Sequence, residues 1–260
     1  LARSSLVQWC TQQATTYSEN AIIAQATLKC LCRLWKNERT CQVVSLERLL
    51  SFFALPQEFD RWEFISALII VMEEENRNAD REILFGDTSV YQFLEGIKHL
   101  TITNENCIVI LRLLGYYTYK VSASLTDPLC EMFFVIAERF SSVLSVARYL
   151  YSYIEDARFA ENVKNVVERY AGRYLVQVLG KEEGEILLLT CEAMKSYICD
   201  DATAGFVCDI YFEQIVCSLL EKEDNEDCLY YLGLVMINLC QYVKPCKQLM
   251  KNSSLIDAVD

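Results

Sequence analysis

The sequence predicts an all-α fold, a solenoid of about six similar helical units, and three observations carry that expectation. Apolar, helix-like segments open near Ala26, Ala67, Cys107, Val146, Leu187 and Tyr230, at spacings of 41, 40, 39, 41 and 43 residues. A fixed period of this length marks stacked supersecondary units, each covering its neighbour's apolar face. Gly (8) and Pro (3) are scarce, so few of the tight turns that β-hairpins need can be built. Finally, 53% hydrophobic and 23% charged residues suit an ordered chain with a sizeable core. The expected organisation is a capping helix over residues 1–25 and a continuous repeat domain over 26–260.

Taken in order, the cap centres on Leu6, Val7, Trp9 and Cys10. In the first unit Leu28, Leu31, Leu34 and Trp35 form one helical stripe. The polar "KNERT" follows, then a second stripe of Val43, Leu46, Leu49, Leu50 and Phe53, with Pro56 as the break. The second unit runs from "FISALIIVM" to a helix carrying Val90, Phe93, Leu94 and Ile97, capped by Asp87, Thr88 or Ser89. In the third, "CIVILRLLGYYTYK" precedes a helix starting where Thr126 or Asp127 meets Pro128. The fourth places Val163, Val167, Tyr170 and Tyr174 on one face. The fifth pairs "EGEILLLTCEAMKSYI" with one helix over "TAGFVCDIYFEQIVCSLLEKE", capped by Asp201 or Thr203. The acidic "EKEDNED" then suits a helix N-terminus, where the exposed amides favour negative charge. "CLYYLGLVMINLCQYV", Pro245 and "CKQLMKNSSLIDAV" complete the last unit.

Charge and cysteine usage bound the function. The net charge is -12, and residues 181–260 hold six Lys against fifteen Asp and Glu. An acidic body repels phosphate backbones, which disfavours general nucleic-acid binding. The same charges either keep the chain soluble or receive a basic peptide. Thirteen Cys sit within apolar helical stretches, and no C-x-x-C pair occurs. They are read as small buried hydrophobes in a reducing compartment, cytosol or nucleus. No apolar run reaches the length of a membrane span, so no membrane partner is expected. The chain opens on Leu1 rather than Met, and a segment of a longer protein is expected.

"LKCLCRLWKNERTCQVVSLERLLSFF" and "LGLVMINLCQYVKPCKQLMKNSSLIDAV" both follow an L-x-x-L helix, a small polar turn, and a helix ending in apolar pairs. With the period near forty, residues 21–260 resemble the armadillo and HEAT repeat superfamily. That resemblance implies a right-handed superhelix whose third helices line a concave groove for extended peptides or partner helices. The Trp and Asn ladder of that superfamily's nuclear-import adaptors is missing, since Trp9, Trp35 and Trp62 all fall near the N-terminus. The regular Gly turn of armadillo repeats is also missing, so irregular, partly HEAT-like units are expected.

No catalytic, cofactor-binding or metal-binding residues are expected. The chain has one histidine, His99, and lacks a Gly-rich phosphate loop, H-E-x-x-H and G-x-S-x-G. Asp200 and Asp201 form an isolated pair without the spaced carboxylates of a magnesium site. Clustered Tyr, such as Tyr116, Tyr117 and Tyr119, suit repeat packing and partner contact alike. Polar residues on second helices, opposite the apolar stripes, are the expected groove contacts: Arg48, Glu95, His99, Arg139, Arg169, Arg173 and Glu213. Together these features predict a non-enzymatic scaffold that binds an extended or helical segment of another protein along a groove. The alternative is an assembly module that self-associates through its end units, using Leu6 and Trp9 or Leu255 and Ile256.

Overall fold

The computed structural model describes residues 87–242 apart from 162, 209, 223 and 224, together with residues 9, 10, 12, 13, 23, 26, 30, 62, 65, 69, 244, 245 and 247. The helix pair expected across "KNERT", the break at Pro56, Ala67, Arg48, Leu6, Leu255 and Ile256 lie outside those residues. Among the described residues the regular elements are all helices. Cys107, Val146, Leu187 and Tyr230, where units were expected to open, each fall in a helix, as does Ala26. The chain divides into two compact units, residues 1–103 with 112–125, and residues 104–111 with 126–260.

In the first unit, α1 (Asp87–Lys98) buries Val90, Phe93, Leu94 and Ile97, the stripe that its 3–4 spacing requires. The C-terminal part of α2 (Cys107–Thr118) buries Leu113, Leu114 and Tyr117. Phe93 meets Tyr117 edge-on, with ring centroids 5.5 Å apart. Thr118 is fully buried, and its hydroxyl donates back to the Leu114 carbonyl at 2.8 Å.

The second unit contains α3 (Ala123–Arg139, from Thr126 onward), α4 (Leu144–Ala157), α5 (Lys164–Leu179), α6 (Gly184–Tyr197), α7 (Asp201–Val207), α8 (Ile210–Lys222) and α9 (Glu226–Cys240). α4 packs on α6 and α6 packs on α9, while α5 packs on α7 and α8. α3 reaches both rows through adjacent rings. Phe133 lies 4.5 Å from Tyr153 of α4, and Phe134 stacks on Tyr170 of α5 at 6.0 Å. Phe133 is fully buried, a placement that contributes about 1.5–3 kcal/mol.

Several polar contacts join segments 37 to 43 residues apart in the chain. Ser141 donates to Glu182 at 2.7 Å across 41 residues. Arg158 donates to the Ser196 carbonyl at 2.8 Å across 38. Asn238 donates to the Lys195 carbonyl at 2.9 Å across 43. Arg148–Glu185, Arg169–Asp127 and Lys181–Glu138 span 37, 42 and 43.

Helix ends differ in places from the sequence expectation. α3 begins at Ala123 rather than at Thr126 or Asp127, so Pro128 lies inside it. Past the four leading amides, a proline at this position forgoes one intrahelical hydrogen bond, to the Ser124 carbonyl, and the helix continues through it. The single helix expected after "CDDATA" is two, because the backbone leaves helical geometry at Cys208 (φ -82, ψ 81). The cap of α7 is Asp200, one residue before the expected Asp201. Its side chain accepts from the Thr203 amide, and Thr203 Oγ1 accepts from the Asp200 amide, closing a capping box. Asn225, inside "EKEDNED", caps α9 by accepting from the amides of Asp227 and Cys228.

Two glycines have conformational reasons. Gly172 lets α5 approach α7 closely: a Cβ there would lie 2.7 Å from Phe206 Cβ and 2.8 Å from Tyr197 Oη. Gly184 opens α6 at φ +57, a left-handed geometry that side chains resist. Among the described residues no single helix is long and apolar enough to cross a membrane, though α7 with Phe212–Glu221 is so as a pair bent by 68°.

Candidate functional site

The outward face of α5 carries two of the expected contact residues. Arg169 and Arg173 are four apart, so both project from one face, and both are exposed. Arg169 pairs with Asp127 of α3, and its guanidinium lies 5.0 Å from the Tyr170 ring centroid. Tyr170 is half-buried between them, and burial, then the Asp127 carboxylate, push its hydroxyl pKa up. Among the described residues no ion pair reaches Arg173. Arg139 closes the same α3 helix, is exposed, and stacks its guanidinium 5.2 Å from the Phe140 centroid.

The other expected contacts are placed elsewhere. Glu95 and His99 belong to the first unit, at the end of α1. Glu95 pairs with Lys98 at 2.8 Å and with His99 Nε2 at 3.5 Å, and the Lys98 ammonium holds its carboxyl below the usual range. Glu213 departs from the expected solvated face. It is 7% exposed in α8, because it follows buried Phe212 and precedes buried Val216 by three, on the helix's apolar side.

A groove of about 640 Å³ opens where α5 ends, with Leu179, Leu187, Ile215 and Leu219 as its apolar lining. The Lys181–Gly184 turn, Gln214 and Ser218 supply its polar rim. Some large apolar side chains also face water. Phe159 is 84% exposed in the α4–α5 turn, and Tyr230 and Ile237 are 62% and 59% exposed along α9. Tyr230, Gly233, Ile237 and Cys240 follow helical spacing and are all exposed, so they make one stripe.

A second cluster was not legible in the sequence. α5 brings Glu168 against the α6–α7 connection, where its carboxylate, Cys199 Sγ and the Asp200 carboxylate lie within 4.8 Å of one another. Lys164 Nζ stands 3.6 Å from Glu168 Oε1 and 3.8 Å from Asp200 Oδ2. Burial raises the Glu168 pKa, against the opposing pull of Lys164. The Thr203 amide lowers that of Asp200. Buried Tyr197 donates its hydroxyl to the Glu168 carbonyl, and burial moves its pKa upward. Glu168 was hidden because it lies between Val167 and Arg169 in an ordinary amphipathic run, and only helix packing turns it inward.

No family model, curated protein or solved structure matches the chain.

Proposed function

We propose that the chain is a non-enzymatic protein-interaction scaffold, a right-handed α-solenoid of about six armadillo- or HEAT-like units. It would bind an extended or helical segment of another protein along the surface that includes Arg169 and Arg173. The observation that supports this reading is a set of hydrogen bonds joining residues 37 to 43 apart, a spacing that stacked repeats of this length would produce. Such stacks offer a long face for a partner, and two arginines one turn apart beside a tyrosine supply anchoring chemistry. Arg173 takes a carboxylate of the bound segment, and the exposed acids of the C-terminal half leave room for basic positions. The reading includes a reducing compartment, cytosol or nucleus, which the buried thiols of Cys107, Cys130 and Cys191 suit.

The test is selection of peptides from a displayed library on the purified chain, followed by binding to Arg173→Glu. Enriched peptides that lose about tenfold in affinity, about 1.4 kcal/mol, while the melting temperature holds would support the reading. Failure to enrich any peptide, or equal affinity for the variant, would reject it.

A second reading, self-assembly, is favoured by the stripe of Tyr230, Ile237 and Cys240 on α9. There α9 packs on α6 with its buried side and leaves this side open. A concentration-dependent mass in sedimentation that Ile237→Glu abolishes would select that reading.

A further inference from the structure

We propose that Glu168, Cys199 and Asp200 form a binding site for a thiophilic divalent cation of the zinc type, clasping α5 to the α6–α7 connection. The three ligand atoms lie within 4.8 Å of one another. A tetrahedral ion with bonds of about 2.0–2.3 Å needs them about 3.3–3.8 Å apart. Side-chain rotation closes that difference, since Cys199 is exposed and Asp200 is 42% exposed.

The observation that points to a ligand is Glu168 itself. The residue is 5% exposed, its Oε1 has no hydrogen-bond partner, and its carboxylate faces the other two ligands. A buried carboxylate oxygen left without a hydrogen bond is costly, and a coordinated cation removes that cost. The nearest cation, Lys164, stays at 3.6 Å, an ion pair too long to be a hydrogen bond.

The chemistry of the set selects the metal class. One thiolate and two carboxylates are three ligands, which leaves a fourth position for water. A hard cation such as calcium takes six to eight oxygens, and magnesium needs an oxygen octahedron, so neither fits. The thiolate favours a softer ion. On binding, the Cys199 thiol proton passes to solvent and the Cys199 Sγ–metal bond forms, with no change of oxidation state. The backbone that carries the ligands is held in place beforehand. Asp200 Oδ1 is committed to the Thr203 amide at 2.8 Å, which leaves Oδ2 toward the site. The Cys199 amide donates to Thr203 Oγ1 at 3.1 Å, and the Tyr197 hydroxyl fixes the Glu168 backbone.

Cobalt(II) is the probe. Titration of the reduced, metal-free chain should give one equivalent of a near-ultraviolet thiolate-to-cobalt absorption, displaced by zinc. Cys199→Ser should abolish that band, and Glu168→Gln should weaken cobalt binding about tenfold or more. Cys240→Ser, an exposed thiol elsewhere, should leave the band unchanged. Lys164→Met should tighten binding, because the ammonium repels the incoming dication; this variant keeps all three ligands, so it tests the site even if Glu168→Gln fails to fold. Absence of the band in the folded wild-type chain overturns the proposal. So does a band that survives Cys199→Ser, or one indifferent to both Glu168→Gln and Lys164→Met, which would be adventitious thiol binding.

Discussion

Asp127 of α3 and Arg169 of α5 form an ion pair across 42 residues of chain, with 52% of each side chain still in water. Water screens such a pair, so it contributes little to stability. A double-mutant cycle of Asp127→Ala with Arg169→Ala should give a coupling of about 0.2–1 kcal/mol, smaller at high salt. The cycle is needed because Arg169→Ala alone also loses the stacking on Tyr170. Phe133→Ala, by contrast, empties a fully buried site and should cost about 3–5 kcal/mol in denaturant unfolding. A pair coupling of that size would show that α3 and α5 are held together by charge rather than by ring packing.

Gly172 and Gly233, both inside helices, should respond to alanine with opposite signs. At Gly172 a Cβ meets Phe206 Cβ at 2.7 Å and Tyr197 Oη at 2.8 Å, so α5 and α7 must separate. Overpacking of this kind costs about 1–3 kcal/mol. At Gly233 the new Cβ meets nothing within 4 Å beyond its own chain neighbours and the helix's nearby backbone, and the helix simply loses its most flexible residue. Gly233→Ala should therefore stabilise by about 0.4–1 kcal/mol. Thermal melts of the two variants check both signs, and a melting temperature unchanged by Gly172→Ala would contradict the close approach.

Much of the fold was legible because local pattern and global packing agree. Val90, Phe93, Leu94 and Ile97 on α1, and Val163, Val167 and Tyr174 in the α5 segment, are buried as their spacing requires. Helix starts were read less well. Pro128 looked like a boundary, yet α3 begins at Ala123 and carries the proline inside it. Glu168 marks the deeper limit. It is a carboxylate in a polar-looking slot, and it turns inward because the end of α6 and the α6–α7 connection cover that slot. Periodicity within one helix carries no information about which flank the next helix will cover. The Glu168 cluster depends on such a neighbour, so sequence reasoning reached the Asp200–Asp201 pair without Cys199 or Glu168.

Asp200 is where one side chain supports two structural tasks. Its carboxylate accepts from the Thr203 amide at 2.8 Å, and Thr203 Oγ1 accepts from the Asp200 amide at 3.1 Å. Removing a cap of this kind costs about 0.5–2 kcal/mol. Asp200→Ala should fall in that range, whereas Asp200→Asn, which retains an acceptor, should lose much less. Thr203→Val should cost a comparable amount, because buried Thr203 also supports the Cys199 amide. A strongly sub-additive double variant, Asp200→Ala with Thr203→Val, would confirm that the two act as one box.

Thiol reactivity should separate the cysteines by environment. Alkylation proceeds through the thiolate, so both access and pKa set the rate. Cys199 and Cys240 are exposed, whereas Cys10, Cys107 and Cys191 are buried. Burial, and next the contact with Cys30 Sγ at 3.6 Å, push the Cys10 thiol up to about 11, and burial raises Cys107 as well. A raised thiol pKa means the thiolate is scarce below it and grows as pH approaches it. At about pH 8 a group titrating near 11 is about one part in a thousand thiolate. Mass spectrometry after brief iodoacetamide treatment at about pH 8 should therefore find label on Cys199 and Cys240 and little on Cys10 or Cys107. Labelling of Cys10 should then accelerate about tenfold per pH unit up to about pH 10. Equal labelling of Cys10 and Cys199 at the lower pH would show that Cys10 is neither buried nor held against Cys30.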